Sequence, residues 1–151
     1  MLIITGSPDH NITAFISLVR ESNCDFLMNS LQDWQENNQQ QTPQGFVYIR
    51  VAPDISFKRL QKQLPLITLA EIQTTYNNNE NYFINKTALS TELQNIPVLV
   101  LNGNINFEDD FSQFYTHLFS IKKFFKEIKD AQDKAAGVYV APKKKHRGCK
   151  C

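Results

Sequence analysis

Glycine and cysteine are scarce in this sequence, and each shortage excludes a kind of site. The five glycines are too scattered to form the glycine-rich loop that cradles phosphate groups, and the motif G-x-x-x-x-G-K-[ST] does not occur. The three cysteines, Cys24, Cys149 and Cys151, lack the spacing of a metal site or of a disulfide framework. A phosphate-binding loop of this type and a cysteine-rich scaffold are therefore excluded.

Long hydrophobic runs and a surplus of one charge are also lacking. No run approaches the roughly 20 apolar residues of a membrane-spanning helix, and the apolar start Met1–Ile4 is too short for a signal peptide. The net charge of +1 gives no overall attraction to nucleic acid or to a membrane. These features predict a globular protein of the cytoplasm, with nuclear and membrane-associated locations as alternatives that depend on the basic C-terminal tail.

Three short apolar runs alternate with helical patterns, which predicts an α/β fold with a parallel sheet. The runs are Leu2–Thr5, Phe46–Val51 and Ile96–Leu101. Parallel strands need a crossover between them and a cover on both faces of the sheet. Three strands are few for such a sheet, so we expect an incomplete parallel sheet flanked by helices.

Apolar spacing and capping residues predict where the helices lie. A helix with one apolar face begins near Asn11, and a helical pattern extends to about Glu36 with a break on the way. Asp54 is expected to cap the helix that follows the central strand. Thr68 and Glu71 have the spacing of a capping box, which predicts the start of the next helix.

The last helical pattern is strongly amphipathic and sets the expected end of the domain. It runs from Phe111 to about Lys129, and the chain then becomes polar and small. We therefore expect a folded domain over residues 1–130 and a basic, disordered tail over residues 131–151.

Several short stretches, taken in order, resemble the deoxyribonucleoside kinases, a family of P-loop enzymes. Gln32–Trp34 resembles a glutamine-aspartate-tryptophan segment, and Tyr48–Asp54 resembles a family strand that ends in proline and an acidic residue. Phe57–Leu60 and Leu64–Leu66 resemble the start of the lid helix and the segment after the lid. Ile96–Asn104 resembles the last strand of the family and the start of its base-contacting loop.

The resemblance covers roughly residues 2–129 and implies the C-terminal part of a P-loop nucleoside-kinase fold. The family transfers the γ-phosphate of ATP to the 5′-hydroxyl of a deoxynucleoside, with Mg²⁺ bound. Leu2–Thr5 already resembles a later family strand, so the P-loop and the catalytic carboxylate have no counterpart, and the lid is shortened between Arg59 and Leu64. Phosphoryl transfer depends on positioning and charge stabilisation, so we expect no catalytic residues, no kinase activity and no bound ATP or Mg²⁺.

Four residues match ligand-contacting positions of the family, and three of them have a structural alternative. Phe15 matches an aromatic residue that stacks on the substrate base, or it is a core residue of its helix. Arg59 matches the first lid arginine near the nucleotide, or it is a surface cation. Asn106 and Phe107 match the loop that contacts the adenine of ATP, and Phe107 could instead pack beneath the last helix.

The resemblance also implies a gap in the sheet. In the family, one strand lies between the two that match Leu2–Thr5 and Phe46–Val51. Its neighbours must pair directly here, or another chain must fill the gap, because unpaired buried backbone is costly. Family members are usually dimers built on helices that include the one matching Ile12–Val19, so we expect a homodimer or a complex with a full-length kinase.

The C-terminal tail lies outside the resemblance and adds further interpretations. Its terminal Cys149-x-Cys151 resembles the doubly prenylated ends of Rab-type GTPases, and a basic cluster beside a lipid would anchor the chain to a membrane. Lys143–Arg147 could instead be a nuclear-localisation or nucleic-acid patch, or the whole tail could simply be solvated.

Three functions therefore remain open at the level of the sequence. The first, which we favour, is a catalytically inactive kinase-like protein that binds a protein partner or a deoxynucleoside. The second is a working nucleoside kinase that is completed by an upstream segment or by a second chain. The third is an adaptor that its tail attaches to a membrane or to nucleic acid.

Overall fold

The computed structural model of the protein describes residues 2–6, 10–21, 28–30, 34–36, 42–105 and 111–137. Within these residues, four parallel strands form one sheet in the spatial order β2-β1-β3-β4. The strands are β1 (Leu2–Gly6), β2 (Met28–Ser30), β3 (Gly45–Arg50) and β4 (Val98–Asn102). The longer helices are α1 (His10–Glu21), α2 (Pro53–Gln61), α3 (Leu69–Phe83) and α4 (Phe111–Ala135). The predicted α/β class with a parallel sheet is therefore confirmed.

The two faces of the sheet are covered by different helices. Successive residues of a strand point to opposite faces. Ile4 and Val47 lie in a core with residues of α1 and α4, whereas Ile3 and Phe46 lie in a second core with Phe83 of α3. All four strand residues are fully buried. Strands that are buried on both faces appear in a sequence as continuous apolar runs, which is why β1 and β3 could be predicted.

β1 and β3 are direct neighbours in the sheet. Their register runs from Leu2 opposite Gly45 to Gly6 opposite Ile49, so the pairing extends over the whole of β1. The kinase resemblance leaves two arrangements: direct pairing of these strands, or a gap that another chain fills. The structure has the direct pairing. The backbone groups along this side of β1 are thereby satisfied within one chain.

The segment before the central strand differs from its prediction. The sequence predicts a helical pattern up to about Glu36, but Met28–Ser30 forms β2 and pairs with β1. Residues 34–36 are helical, as predicted. A three-residue strand is too short to show a period of two in the sequence, and its conformation is set by the ladder with β1. The predicted helix is therefore wrong at β2. Leu27 and Leu31, whose spacing from Trp34 suggested the helical pattern, lie outside the described residues.

The two helices between β3 and β4 begin in different ways. α3 begins with the predicted capping box: Thr68 Oγ1 accepts from the Glu71 N–H, and Glu71 Oε2 accepts from the Thr68 N–H, both at 3.2 Å. The prediction that Asp54 caps α2 is wrong, because α2 begins at Pro53 and its N-cap, Ala52, makes no side-chain hydrogen bond. Proline has the φ angle that the first helical position needs. Asp54 instead lies in the first turn, where a carboxylate favours the helix dipole.

α4 is longer than predicted. It continues past Lys129 to Ala135, because Asp130–Ala135 contains good helix-forming residues. Gly137 follows with a φ of +74°, a left-handed conformation that commonly ends helices. Residue 130, the expected end of the domain, thus lies inside this helix, and residues 138–151 lie outside the described residues. Within the described part of the chain, no helix is both long and apolar enough to cross a membrane.

Candidate functional site

A ligand site is expected at the end of the sheet where the carboxyl ends of its parallel strands lie. In open parallel sheets, ligands bind beyond the carboxyl ends of the strands, near the point where the strand order reverses. Here the reversal lies between β1 and β3, because β2 is on one side of β1 and β3 is on the other. The loop Asn102–Asn104, which leaves β4, lies at this end of the sheet beside the end of β3.

Two hydrogen bonds attach this loop to the end of β3. The Gly103 N–H donates to the Arg50 carbonyl oxygen at 2.8 Å. The Ala52 N–H donates to Asn104 Oδ1, also at 2.8 Å. Within the loop, the Asn104 N–H donates to Asn102 Oδ1 at 3.0 Å. The loop is therefore a fixed corner rather than a loosely tethered connection, and we call Asn102–Asn104 the β4 corner.

Side chains from two helices also bind the backbone of the β4 corner. Arg59, in the last turn of α2, donates from Nη1 to the Gly103 carbonyl oxygen at 2.8 Å. His117 of α4 lies 2.9 Å from the Asn102 carbonyl oxygen through Nε2. A carbonyl oxygen only accepts, so Nε2 carries the proton in this hydrogen bond. Arg59, which matches a lid arginine near the nucleotide in the resembled kinases or is a surface cation, thus contacts the protein backbone. His117 was not anticipated from the sequence.

The β4 corner passes so close to the core that position 103 has no room for a side chain. A Cβ added to Gly103 would lie 2.6 Å from Val51 Cγ2 and 2.7 Å from Ile49 Cγ2. Both neighbours are β-branched side chains that are stiff at χ1. Glycine is therefore needed here for a close approach of backbone to core.

A second polar group, centred on Glu80 of α3, lies beside the β4 corner. Glu80 Oε2 accepts from the Tyr48 hydroxyl at 2.8 Å, and Glu80 Oε1 accepts from the Tyr76 hydroxyl at 3.1 Å. Arg50 adds an ion pair from Nη2 to the same Oε1. Because the carboxylate accepts three hydrogen bonds, it ties β3 to α3 across the sheet face. We call these four residues the Glu80 network.

The Glu80 network changes the protonation behaviour of two of its members. Burial, together with the hydrogen bond and the negative charge of Glu80, raises the pKa of the Tyr48 phenol far above its ordinary range. The hydrogen bond to Glu80 likewise raises the pKa of the Arg50 guanidinium. Tyr48 is thus held protonated as a donor, and Arg50 is held charged. The network has a structural role, because both carboxylate oxygens of Glu80 already accept hydrogen bonds from β3 and α3 side chains.

Part of the Glu80 network could be predicted from the sequence. Tyr48 and Arg50 are two positions apart on a strand, so they were bound to share a face of the sheet. Glu80 follows an asparagine-rich stretch that weakens the helical pattern of α3, and nothing local links it to β3. Glu80 meets Tyr48 and Arg50 because α3 packs on the sheet, and no local sequence pattern predicts that packing.

Phe15 lies in the core between α1 and α4. Its side chain is fully buried. Its ring makes edge-on contacts with Phe114 at a centroid distance of 5.6 Å and with His117 at 6.1 Å. Phe15 therefore joins α1 to α4. The other predicted site residues, Asn106, Phe107, Cys149 and Cys151, lie outside the described residues.

A second surface with functional potential lies on the outside of α1 and α4. Tyr115 and Phe119 of α4 are 64% and 67% exposed, and Leu18 of α1 is 38% exposed. They line one open groove together with Phe114 and Leu118 at its base and with Glu21 and Lys122. We call these seven residues the α1–α4 face. Large apolar groups exposed together are typical of an interaction surface.

No protein-family model matches the sequence. The resemblance to deoxyribonucleoside kinases therefore stays a prediction. In the described residues, no group of three or more acidic, histidine or cysteine side chains is arranged to hold a metal ion.

Tyr48→Phe is expected to make the protein less sensitive to alkaline pH. Because the folded-state pKa of Tyr48 is raised above its ordinary value of 10.0, its contribution to stability is complete below that pH and is lost as the pH rises above it. Above pH 10 the wild type should lose up to about 1.4 kcal/mol per pH unit more than the variant. Urea denaturation on both sides of that pH measures this difference.

The control is Tyr82→Phe, which removes the hydroxyl of a half-buried tyrosine outside both the Glu80 network and the α1–α4 face. It should keep the pH dependence of the wild type. At neutral pH, Tyr48→Phe should cost only about 1 kcal/mol, because Glu80 keeps its bonds to Arg50 and Tyr76. Identical pH profiles for Tyr48→Phe and the wild type would contradict a buried, protonated phenol.

Proposed function

We propose that this protein is a non-catalytic binding protein of deoxyribonucleoside-kinase descent, which acts by associating with another polypeptide through the α1–α4 face. The observation that carries the proposal is the exposure of Tyr115 and Phe119 side by side on α4. Aromatic residues are enriched at protein interfaces, because they bury a large area with little loss of conformational entropy. A pair of them beside Leu18 provides an apolar centre for such an interface.

The arginine that matches the kinase lid supports a non-catalytic role. A kinase would direct such an arginine at a transferring phosphate, where it can raise the rate by ~10³-fold or more. Here Arg59 binds the Gly103 carbonyl oxygen and so holds the protein's own β4 corner.

We propose a second copy of this chain as the partner. A twofold-symmetric interface uses the same patch on both subunits, so the patch must complement itself. The α1–α4 face has an apolar centre and one charge of each sign, Glu21 and Lys122. In a symmetric pair, Glu21 of one copy can meet Lys122 of the other on both sides of the aromatic centre. A full-length kinase, the alternative partner, would need a complementary patch of its own.

Phe119→Glu is expected to convert the protein from a dimer to a monomer. The substitution places a charge in the apolar centre of the interface, where two copies would bring two like charges together. The mass in solution, measured by analytical ultracentrifugation at micromolar concentration, should fall to that of one chain. Leu66→Glu is the matched control, because Leu66 is 94% exposed and lies outside the α1–α4 face. It should leave the dimer intact.

The two charges give an independent test of the symmetric arrangement. Glu21→Lys should weaken the dimer, because two lysines then face each other, and adding Lys122→Glu should restore it. A wild type that stays monomeric throughout the concentration range would overturn self-association. Dimers of Phe119→Glu that are as stable as those of the wild type would place the interface elsewhere.

A deoxynucleoside is the alternative ligand that the kinase resemblance implies, and thermal unfolding tests whether it binds. Any ligand that binds the folded state raises the unfolding midpoint. A rise with deoxynucleosides but not with Mg-ATP would add nucleoside binding to the proposed function. A rise with Mg-ATP would contradict the non-catalytic role and would require a kinase assay. Because Phe15 is fully buried, we expect no rise with either ligand.

A further inference from the structure

An open groove lies at the carboxyl ends of β3 and β4, on the sheet face that α3 covers. Arg50, Tyr76, Val100, Asn102 and Asn104 contribute to its lining. Arg50 and Asn102 are paired residues of neighbouring strands, so their side chains leave the same face of the sheet side by side. We call this feature the edge groove. It is separate from the α1–α4 face, which lies on the other side of the sheet.

The two asparagines have a defined orientation. Asn102 Oδ1 accepts from the Asn104 backbone N–H, and Asn104 Oδ1 accepts from the Ala52 backbone N–H. A backbone N–H can only donate, so the atom that it contacts in each amide must be the oxygen. These backbone contacts therefore use Oδ1 of each side chain and not its Nδ2 group. Both residues are exposed and line the groove, so each has an N–H donor for a ligand bound there.

Arg50 adds a charged donor to the same groove. A guanidinium has five N–H donors, and the contact with Glu80 uses Nη2. The side chain is 46% exposed, whereas that of Glu80 is only 13% exposed. Both oxygens of Glu80 are already bonded by Tyr48, Tyr76 and Arg50. What the groove presents is therefore the guanidinium and not the carboxylate behind it.

An apolar surface lies next to these donors. Val100 of the edge strand β4 is 41% exposed, and the half-buried Tyr76 lines the same groove. The edge groove thus combines three donor groups with a small apolar wall. A ligand that matches it has an acceptor-only, negatively charged head and a small apolar body.

We propose that the edge groove binds a small organic anion whose carboxylate or phosphate group accepts hydrogen bonds from Arg50, Asn102 and Asn104, while its apolar body packs on Val100 and Tyr76. Carboxylate and phosphate share the chemistry that these donors recognise, since both accept from a guanidinium in a bidentate manner. The site is independent of the proposed association through the α1–α4 face.

Asn102→Asp and Asn104→Asp test the proposal with little disturbance of the fold. Each aspartate keeps an oxygen for the backbone N–H that the asparagine binds, and it replaces only the outward Nδ2 donor with an anionic acceptor. The probes are phenyl phosphate, benzoate and inorganic phosphate, with neutral benzamide as the uncharged comparison. Binding is measured by isothermal titration calorimetry and by the side-chain amide signals of Asn102 and Asn104 in ¹⁵N NMR spectra.

We expect phenyl phosphate or benzoate to bind and to shift the amide signals of both asparagines. Each Asp variant should weaken that binding about tenfold or more. The substitution removes a hydrogen bond from the amide to the anionic ligand and places a second negative charge beside it. Asn78→Asp, which makes the same change on the exposed surface of α3, should bind like the wild type. Val100→Ala should weaken the aromatic probes but not inorganic phosphate.

Several results would overturn the proposal. One is the absence of binding by all three anionic probes, and another is equal binding by benzamide. A third is unchanged affinity in both Asp variants when their circular dichroism and melting temperature match those of the wild type. If phenyl phosphate binds and benzoate does not, the ligand class narrows to phosphate esters, and the reverse result narrows it to carboxylates.

Discussion

Phe15→Ala should lower the free energy of unfolding by about 3–5 kcal/mol, the usual cost of removing a phenylalanine from a core. The Phe15 side chain has no exposed surface, and it packs edge-on against the rings of Phe114 and His117. Removing it leaves a cavity at the point where α1 meets α4, and the two helices can close this cavity only in part. Since single domains are stable by about 5–15 kcal/mol, the variant would lose much of its stability.

Urea denaturation monitored by circular dichroism measures this loss, and Phe15→Leu provides the graded variant. Leucine keeps most of the buried volume, so it should cost clearly less than alanine. The pair also separates the two interpretations of Phe15. If the ring stacks on a substrate base, Phe15→Leu should abolish the rise in melting temperature with a deoxynucleoside. A loss below about 1 kcal/mol for Phe15→Ala would contradict the core position.

Gly103→Ala is expected to be the second most damaging change, at about 1–3 kcal/mol, the range for overpacked cores. The added methyl group would lie 2.6 Å from Val51 Cγ2 and 2.7 Å from Ile49 Cγ2, so either the core or the loop must move. If the loop moves, it strains the bonds of Gly103 to Arg50 and Arg59. Thermal and urea denaturation measure the cost.

A double variant identifies the source of this cost. Val51→Ala creates space at the position that the new methyl group would occupy, so Gly103→Ala combined with Val51→Ala should be more stable than the sum of the two single losses predicts. Strict additivity would mean that the steric contact with Val51 is not the cause. The same series bears on the edge groove, because a displaced β4 corner would also move Asn102 and Asn104.

The parts of the fold that the sequence predicts best are those with a local signal. The capping box at Thr68 is encoded by two residues three positions apart, and the apolar period of α1 buries Ile12, Phe15 and Val19. β2 is missed because its conformation comes from pairing with β1 and not from its own three residues. The Asp54 cap is wrong because Pro53 already begins the helix.

The candidate site is less predictable because its contacts join distant parts of the chain. Tyr48 and Glu80 are separated by 32 residues, and Arg59 and Gly103 by 44. Composition shows glycine to be scarce, but it cannot show that Gly103 passes within contact distance of two core side chains. Asn102 and Asn104 read as turn residues, and only the bonds of their oxygen atoms reveal that each offers a donor.

The direct pairing of β1 with β3 has a consequence for how the chain folds during synthesis. β1 is fully paired only after Gly45–Arg50 has been made, which at typical translation rates is roughly 2–9 s later. Until then, β2, with three residues, is the one described strand available to pair with β1, whose Leu2, Ile3 and Ile4 are all buried in the finished sheet. Such non-local parallel pairing is slow. The nascent chain should therefore expose an apolar strand edge for seconds, which makes it a natural client for chaperones that act at the ribosome.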